Sequence, residues 1–146
     1  MKLKLLRIPL RLGFDTFFTG EISNERADRL FKTMQMYKLL MEVYDVQHYR
    51  ACATSAMRDA SNNNQILEQI RQQTSLEIDI ISGDEEASII FETHIAEHLD
   101  EDKSYLYIDV GGGSTEITLF SNHKKTAANS FNVGTIRLLN EQVVED

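Results

Sequence analysis

Residues 107–120 read YIDVGGGSTEITLF, and how this stretch is read decides the fold. Two β-patterned runs flank three consecutive glycines, with Asp109 just before them and Glu116 just after. Glycine inside a strand weakens it and supplies no packing surface, so the triplet marks a turn or a close backbone approach. If Gly112 and Gly113 form the turn, Gly111 opposes Ser114 and Asp109 opposes Glu116. The two carboxylates then stand on one side of the ladder with Cβ atoms ~5 Å apart, where like charges repel. A divalent cation offsets that repulsion, and Mg²⁺ suits one or two carboxylates combined with phosphate oxygens. The bare amides of Gly111–Gly113, with the hydroxyls of Ser114 and Thr115, form the kind of concavity that takes an anion. The triplet alone is equally compatible with an ordinary glycine-rich hairpin tip carrying two solvated acids. No Gly-Lys-Ser/Thr follows, so this is not a Walker loop.

Outward from the glycines, SYLYIDV, STEITLFS and TAANSFN read as a three-stranded meander, and GTIRLLNEQVV as a closing helix. Upstream, Ser23 reads as the N-cap of a long amphipathic helix reaching Tyr44, with Glu25 in its first turn. Residues 2–12 read as extended, with Pro9 at an edge or bend, and GFDTFFTGE as a loop. HYRACATS and LEIDII read as short buried strands, separated by a helix over NNQILEQIRQQT; a further helix begins near Asp84. The DEDK run, 100–103, is a charged connector. Strands and helices alternate and then give way to hairpins, which is an α/β pattern with a boundary near residue 102.

Composition bounds the function classes. With 146 residues, 42% hydrophobic and 26% charged, the chain has the make-up of a globular domain with a sizeable core. One cysteine, Cys52, rules out an internal disulfide and fits a reducing cytoplasm. Its small neighbours place Cys52 in a core strand. No apolar run approaches membrane-spanning length, and the basic start MKLKLLRIPLRLG lacks a cleavage site. A net charge of −8 argues against nucleic-acid or membrane-surface binding. A polyanionic ligand therefore needs a local cluster of donors or a metal ion.

Two other stretches supply such donors. CATSAMRDASN places Thr54, Ser55 and Arg58 where a strand gives way to a helix, a favoured position for anions. Arg58 can grip a phosphate through two parallel hydrogen bonds, though the stretch judged by itself favours an ordinary capped turn with a surface arginine. ISGDEEAS sets three acids at a helix start, where Asp84 and Glu85 suit the helix dipole. Glu86, beside the small Ala87, is placed to orient a water for attack on phosphorus. His94 and His98 lie four apart without the intervening glutamate of a zinc site; with His48 and His123 they show no metal spacing. Met34, Met36 and Met41 read as helix packing or surface.

Taken together, ATSAMRDA, ISGDEEA, IDVGGGSTE and VGTIRL resemble, in order and approximate spacing, the exopolyphosphatases and guanosine pentaphosphate phosphohydrolases. Those enzymes belong to the superfamily of actin, sugar kinases and heat-shock chaperones. The resemblance runs from about Leu5 to Leu139 and implies two ribonuclease-H-like lobes closing on a cleft. It implies an incomplete first lobe over 1–102 and the opening of a second over 103–146. It further implies Glu86 as the catalytic glutamate, Asp109 and Glu116 around Mg²⁺, and Gly111, Gly112, Gly113, Ser114, Thr115 and Arg58 as phosphate contacts. The implied reaction is hydrolysis of phosphoanhydride bonds in polyphosphate or guanosine pentaphosphate.

One family feature has no counterpart. The Asp-x-Gly-Ser-Asn-Ser type loop that opens the family fold does not occur, so the chain is expected to be a segment of such an enzyme and inefficient by itself. An unpaired sheet edge beside residues 2–12 favours self-association, which makes a homodimer part of the expectation. An ATP-dependent kinase or ATPase of the same superfamily, and a non-catalytic nucleotide sensor, remain the alternatives.

Overall fold

The computed structural model describes residues 6–90, 100, 103–122 and 124–140. Their order is α1 (Gly13–Thr19), α2 (Asn24–Val43), β1 (Cys52–Ala53), α3 (Ser55–Asp59), α4 (Asn63–Thr74), β2 (Asp79–Ile80) and α5 (Gly83–Ile90). There follow β3 (Ser104–Val110), β4 (Thr115–Ser121), β5 (Lys124–Phe131) and α6 (Thr135–Leu139).

The two long helices start and stop where local chemistry directs. Ser23 caps α2 by accepting from Arg26 N, satisfying one of the donors left open at a helix start. Asp15 holds that cap, accepting from the Ser23 backbone N–H and hydroxyl and pairing with Arg26 Nε at 2.7 Å. Burial raises the Asp15 pKa, but the hydrogen bonds from Ser23 and Arg26 outweigh it and hold the carboxyl below its ordinary value. In α4, Ile66, Ile70 and Thr74 repeat at four-residue spacing and are buried, and Ser75 ends the helix in the left-handed region. Asn62 exchanges two hydrogen bonds with the backbone of Ile22, at 3.0 and 2.8 Å, joining the start of α2 to that of α4. Ile22, Leu30, Met57, Ile66, Ile70 and Leu76 are central to the core between these helices.

The expected strand at HYRACATS shrinks to β1, and LEIDII to β2; they pair in parallel, Cys52 with Asp79 and Ala53 with Ile80. Period-2 patterning marks residues able to face a core, but a ladder extends only as far as a partner does. Cys52 is exposed, which corrects its reading as a core residue; no described strand pairs on the other side of β1. Residues 6–12 join no ladder, so no sheet edge forms there among the described residues. GFDTFFTGE is also corrected: most of it is α1, closed by Gly20 at φ 80°. Phe17 anchors that helix at 3% exposure.

The meander forms as expected, with order β3–β4–β5, both pairs antiparallel and an irregularity between Leu119 and Phe120. Glu116, Thr118 and Phe120 alternate onto its buried face, and α5 packs against β4 and β5. His94, His98, His123, the rest of the helix expected from Asp84, part of the 100–103 connector and the last part of the expected closing helix lie outside the described residues.

Candidate phosphate and metal site

The hairpin register is the one the acids imply: Asp109 faces Glu116 and Val110 faces Thr115. Gly111 N donates to Ser114 O at 2.8 Å, closing the tip. None of the three glycines adopts the left-handed region, so freedom of φ is not their purpose. Close approach is. A Cβ on Gly113 would overlap the Phe17 ring and sit 2.8 Å from Ser55 Oγ. From the other side, a Cβ on Gly134 would lie 2.5 Å from Gly112 C and Gly113 N. The loop is therefore pressed between α1 and α3 on one flank and the start of α6 on the other.

Hydrogen bonds fix its orientation. Gly111 O accepts from Thr135 N at 3.0 Å, Gly112 O from Ile136 N at 2.9 Å, and Gly113 O from Arg137 Nε at 2.6 Å. In a planar trans peptide the N–H points opposite to the carbonyl. The amides of Gly112, Gly113 and Ser114 therefore point opposite to the carbonyls that α6 holds. Thr115 is partly committed elsewhere, since its hydroxyl donates to Val133 O at 2.5 Å. Ser114 is buried.

The acids of ISGDEEAS separate by environment. Asp84 and Glu85 are exposed in the first turn of α5; Glu85 pairs with Arg50 at 2.5 Å, and its N–H is capped by Ser82 Oγ. Glu86 is half-buried, and its pKa is raised to about 7. Burial is the main cause, followed by the negative charges of Glu116 and Asp109; Arg58 and a hydrogen bond from the Thr54 side chain act the other way. The site residues from three parts of the sequence thus meet in one place. Ionising Glu86 works against the fold: its stabilising contribution is complete below its ordinary value of 4.5 and is lost as pH rises through about 7.

Arg58 donates to Ile81 O at 2.8 Å and lies 3.9 Å from Asp59. Glu116 is 4% exposed and accepts from Ser130 Oγ at 2.9 Å. Glu116, Asp109 and Glu86 offer only oxygen ligands, which suits a hard divalent cation, and their mutual repulsion gives such a cation something to relieve. Among the described residues no three His, Cys, Asp or Glu side chains converge closely enough to form a metal-binding group by themselves. An ion here would need oxygens from a ligand or water.

Comparison with known proteins identifies the setting. A family model described as the Ppx/GppA phosphatase family matches residues 5–146. The chain belongs to the Ppx/GppA phosphatase family. It is 32% identical over 133 residues to the bifunctional 3-dehydroquinate synthase/phosphatase of Fusobacterium nucleatum, covering 88% of this chain and 20% of that protein. It is 26% identical to the guanosine-5'-triphosphate,3'-diphosphate pyrophosphatase of Aeromonas hydrophila, covering 92% and 26%. The crystal structure of an exopolyphosphatase from Cytophaga hutchinsonii superposes with a TM-score of 0.78 at 29% identity, over 88% of this chain and 41% of that one. The Ppx/GppA chain thus spans from one fifth to about two fifths of the length of these proteins. The α/β fold class read from its sequence holds.

Sequence reasoning missed three residues that border this candidate site in the Ppx/GppA chain. Phe17 lay in a stretch read as loop. Asp59 and Arg137 pair across 78 positions, a separation that no local pattern reports. The one available signal for Arg137 was its place in VGTIRL, which carried no stated role.

Proposed function

We propose that the chain carries the hydrolytic centre of a phosphatase that cleaves terminal phosphoanhydride bonds in polyphosphate or guanosine pentaphosphate. The observation that carries this reading is Glu86: a half-buried carboxylate with a pKa raised to about 7, facing Asp109, Glu116 and Arg58. A general base works best when its pKa lies near the operating pH. Glu86 takes a proton from water, the water oxygen bonds to the terminal phosphorus, and the bridging P–O bond breaks with its electrons passing to the leaving phosphate. The amides of Gly112, Gly113 and Ser114 and the Arg58 guanidinium bind the phosphate oxygens and stabilise charge that grows during transfer. Mg²⁺, held by Asp109 and Glu116, would supply Lewis-acid neutralisation of the phosphate oxygens.

The family membership supports this reading, as does the similarity to a guanosine-5'-triphosphate,3'-diphosphate pyrophosphatase. The two separate sheets support a lobe boundary near residue 102, with 1–102 and 103–146 as its two sides. No described helix is long and apolar enough to cross a membrane, in keeping with a cytoplasmic enzyme that acts on a soluble polyanion.

The test is phosphate release with Mg²⁺ from polyphosphate, guanosine pentaphosphate and ATP in parallel. Release from either of the first two, exceeding that from ATP, is the expected result. Turnover of ATP alone would move the chain to the kinase or ATPase class.

A further inference from the structure

The guanidinium of Arg137 makes three contacts that meet nowhere else among the described residues. Its Nε donates to Gly113 O at 2.6 Å, its Nη2 pairs with Asp59 Oδ2, and its Cζ lies over the Phe17 ring, 4.3 Å from the centroid. The Arg137 side chain is only 15% exposed, so its bond to Gly113 O is partly shielded from water, while Asp59 is more open at 34%. Asp59 in turn sits 3.9 Å from Arg58 Nε. One charged chain therefore runs from the glycine loop through Arg137 and Asp59 to the arginine of the candidate phosphate site.

The Gly113 carbonyl belongs to the peptide whose other end is the Ser114 N–H. Unlike Gly111 O and Gly112 O, which backbone donors of α6 hold, this carbonyl is held by a side chain. Without that donor the last peptide of the loop is free to turn, and the Ser114 amide turns with it. Phe17 sets the plane of the guanidinium and also fills the space that Gly113 leaves open.

We propose that Arg137 is a positioning residue: it aims the Ser114 amide at a bound phosphate and couples the glycine loop to the helix that carries Arg58. The proposal rests on the phosphate reading of the loop. Arg is suited to this task because its planar fork serves two acceptors while stacking on an aromatic face; lysine offers a single point charge.

The test is an amide-resolved NMR titration of the 146-residue chain with tripolyphosphate and Mg²⁺, for the wild type, Arg137→Gln, Arg137→Lys and Asp59→Asn. In the wild type the amide resonances of Gly112, Gly113 and Ser114 should move on binding. Arg137→Gln should shift the Ser114 amide before any ligand is added and weaken tripolyphosphate binding by about tenfold, the scale of one lost charge-assisted hydrogen bond. Arg137→Lys should recover only part of that loss, with a melting midpoint close to wild type. Should Arg137→Gln fail to fold, Asp59→Asn decides: it keeps the bond to Gly113 but weakens the coupling, so affinity should fall by a smaller factor with the same resonances shifted. A folded Arg137→Gln that binds like the wild type, or an Asp59→Asn with unaltered shifts and affinity, overturns the proposal alone. A wild type whose loop amides ignore tripolyphosphate overturns the phosphate reading and this proposal with it.

Discussion

The joint around the glycine loop and the short ladder of β1 and β2 are both built mainly from small and apolar residues, yet they resolve differently. At the joint, Gly113 admits Phe17 and Ser55, Gly134 admits the Gly112–Gly113 peptide, and α6 takes up three successive carbonyls. Every backbone group on that flank has one arrangement open to it. Around β1, two ladder positions are paired, Cys52 is exposed, and an open groove runs past Leu12, Leu30, Met34 and Ile78. The difference teaches where this chain's specificity lies. Residues whose size is dictated by a neighbour's backbone form the candidate site, whereas those that merely could be buried form the groove.

Substitution should break that comparison most sharply at Gly113. Gly113→Val places branched carbons where Phe17 and Ser55 already sit. It should destabilise the fold by about 1–3 kcal/mol through overpacking and remove tripolyphosphate binding. Gly20→Ala is the matched control, because Gly20 has positive φ but nothing within 4 Å of an added Cβ. It should lower stability by ~1 kcal/mol and leave binding intact. Thermal unfolding and ligand titration of the pair check both statements; equal losses of binding would show that close approach is not what the glycines provide.

The smallest effect is expected in the groove. Cys52→Ser should change stability by no more than ~0.5 kcal/mol, as for an exposed residue with no special partner. The native thiol should react with an aromatic disulfide reagent without denaturant. Slow labelling, or a loss of several kcal/mol, would return Cys52 to the core.

These contrasts also mark what the sequence made legible. The Asp109–Glu116 register followed from counting residues on either side of a turn, and α2 and α4 from a cap and a four-residue repeat. Each of those signals is complete within about 20 residues, near the length of α2 itself. Helix α1 escaped because its anchor, Phe17, fits a gap made by Gly113 far along the chain. Cys52 was misplaced because alternation tells which face a side chain takes, and not whether anything covers that face. Glu86 could be told from Asp84 and Glu85 by the small residue beside it, but its raised pKa depends on Glu116 and Asp109 arriving from another hairpin.

The central claim is that Glu86 is a base tuned by the two hairpin acids. Its most direct test is the pH dependence of phosphate release from tripolyphosphate with saturating Mg²⁺, measured in a version extended to full family length, as wild type and as Glu86→Gln. Protonated Glu86 cannot accept a proton, so the wild-type rate should rise with pH, with its inflection at about 7 or below, since a bound cation favours the carboxylate. Glu86→Gln should lose ~10²–10⁴-fold in turnover, keep its affinity for tripolyphosphate and lose that inflection. A Glu86→Gln variant with near-normal turnover and the same pH profile would contradict the account.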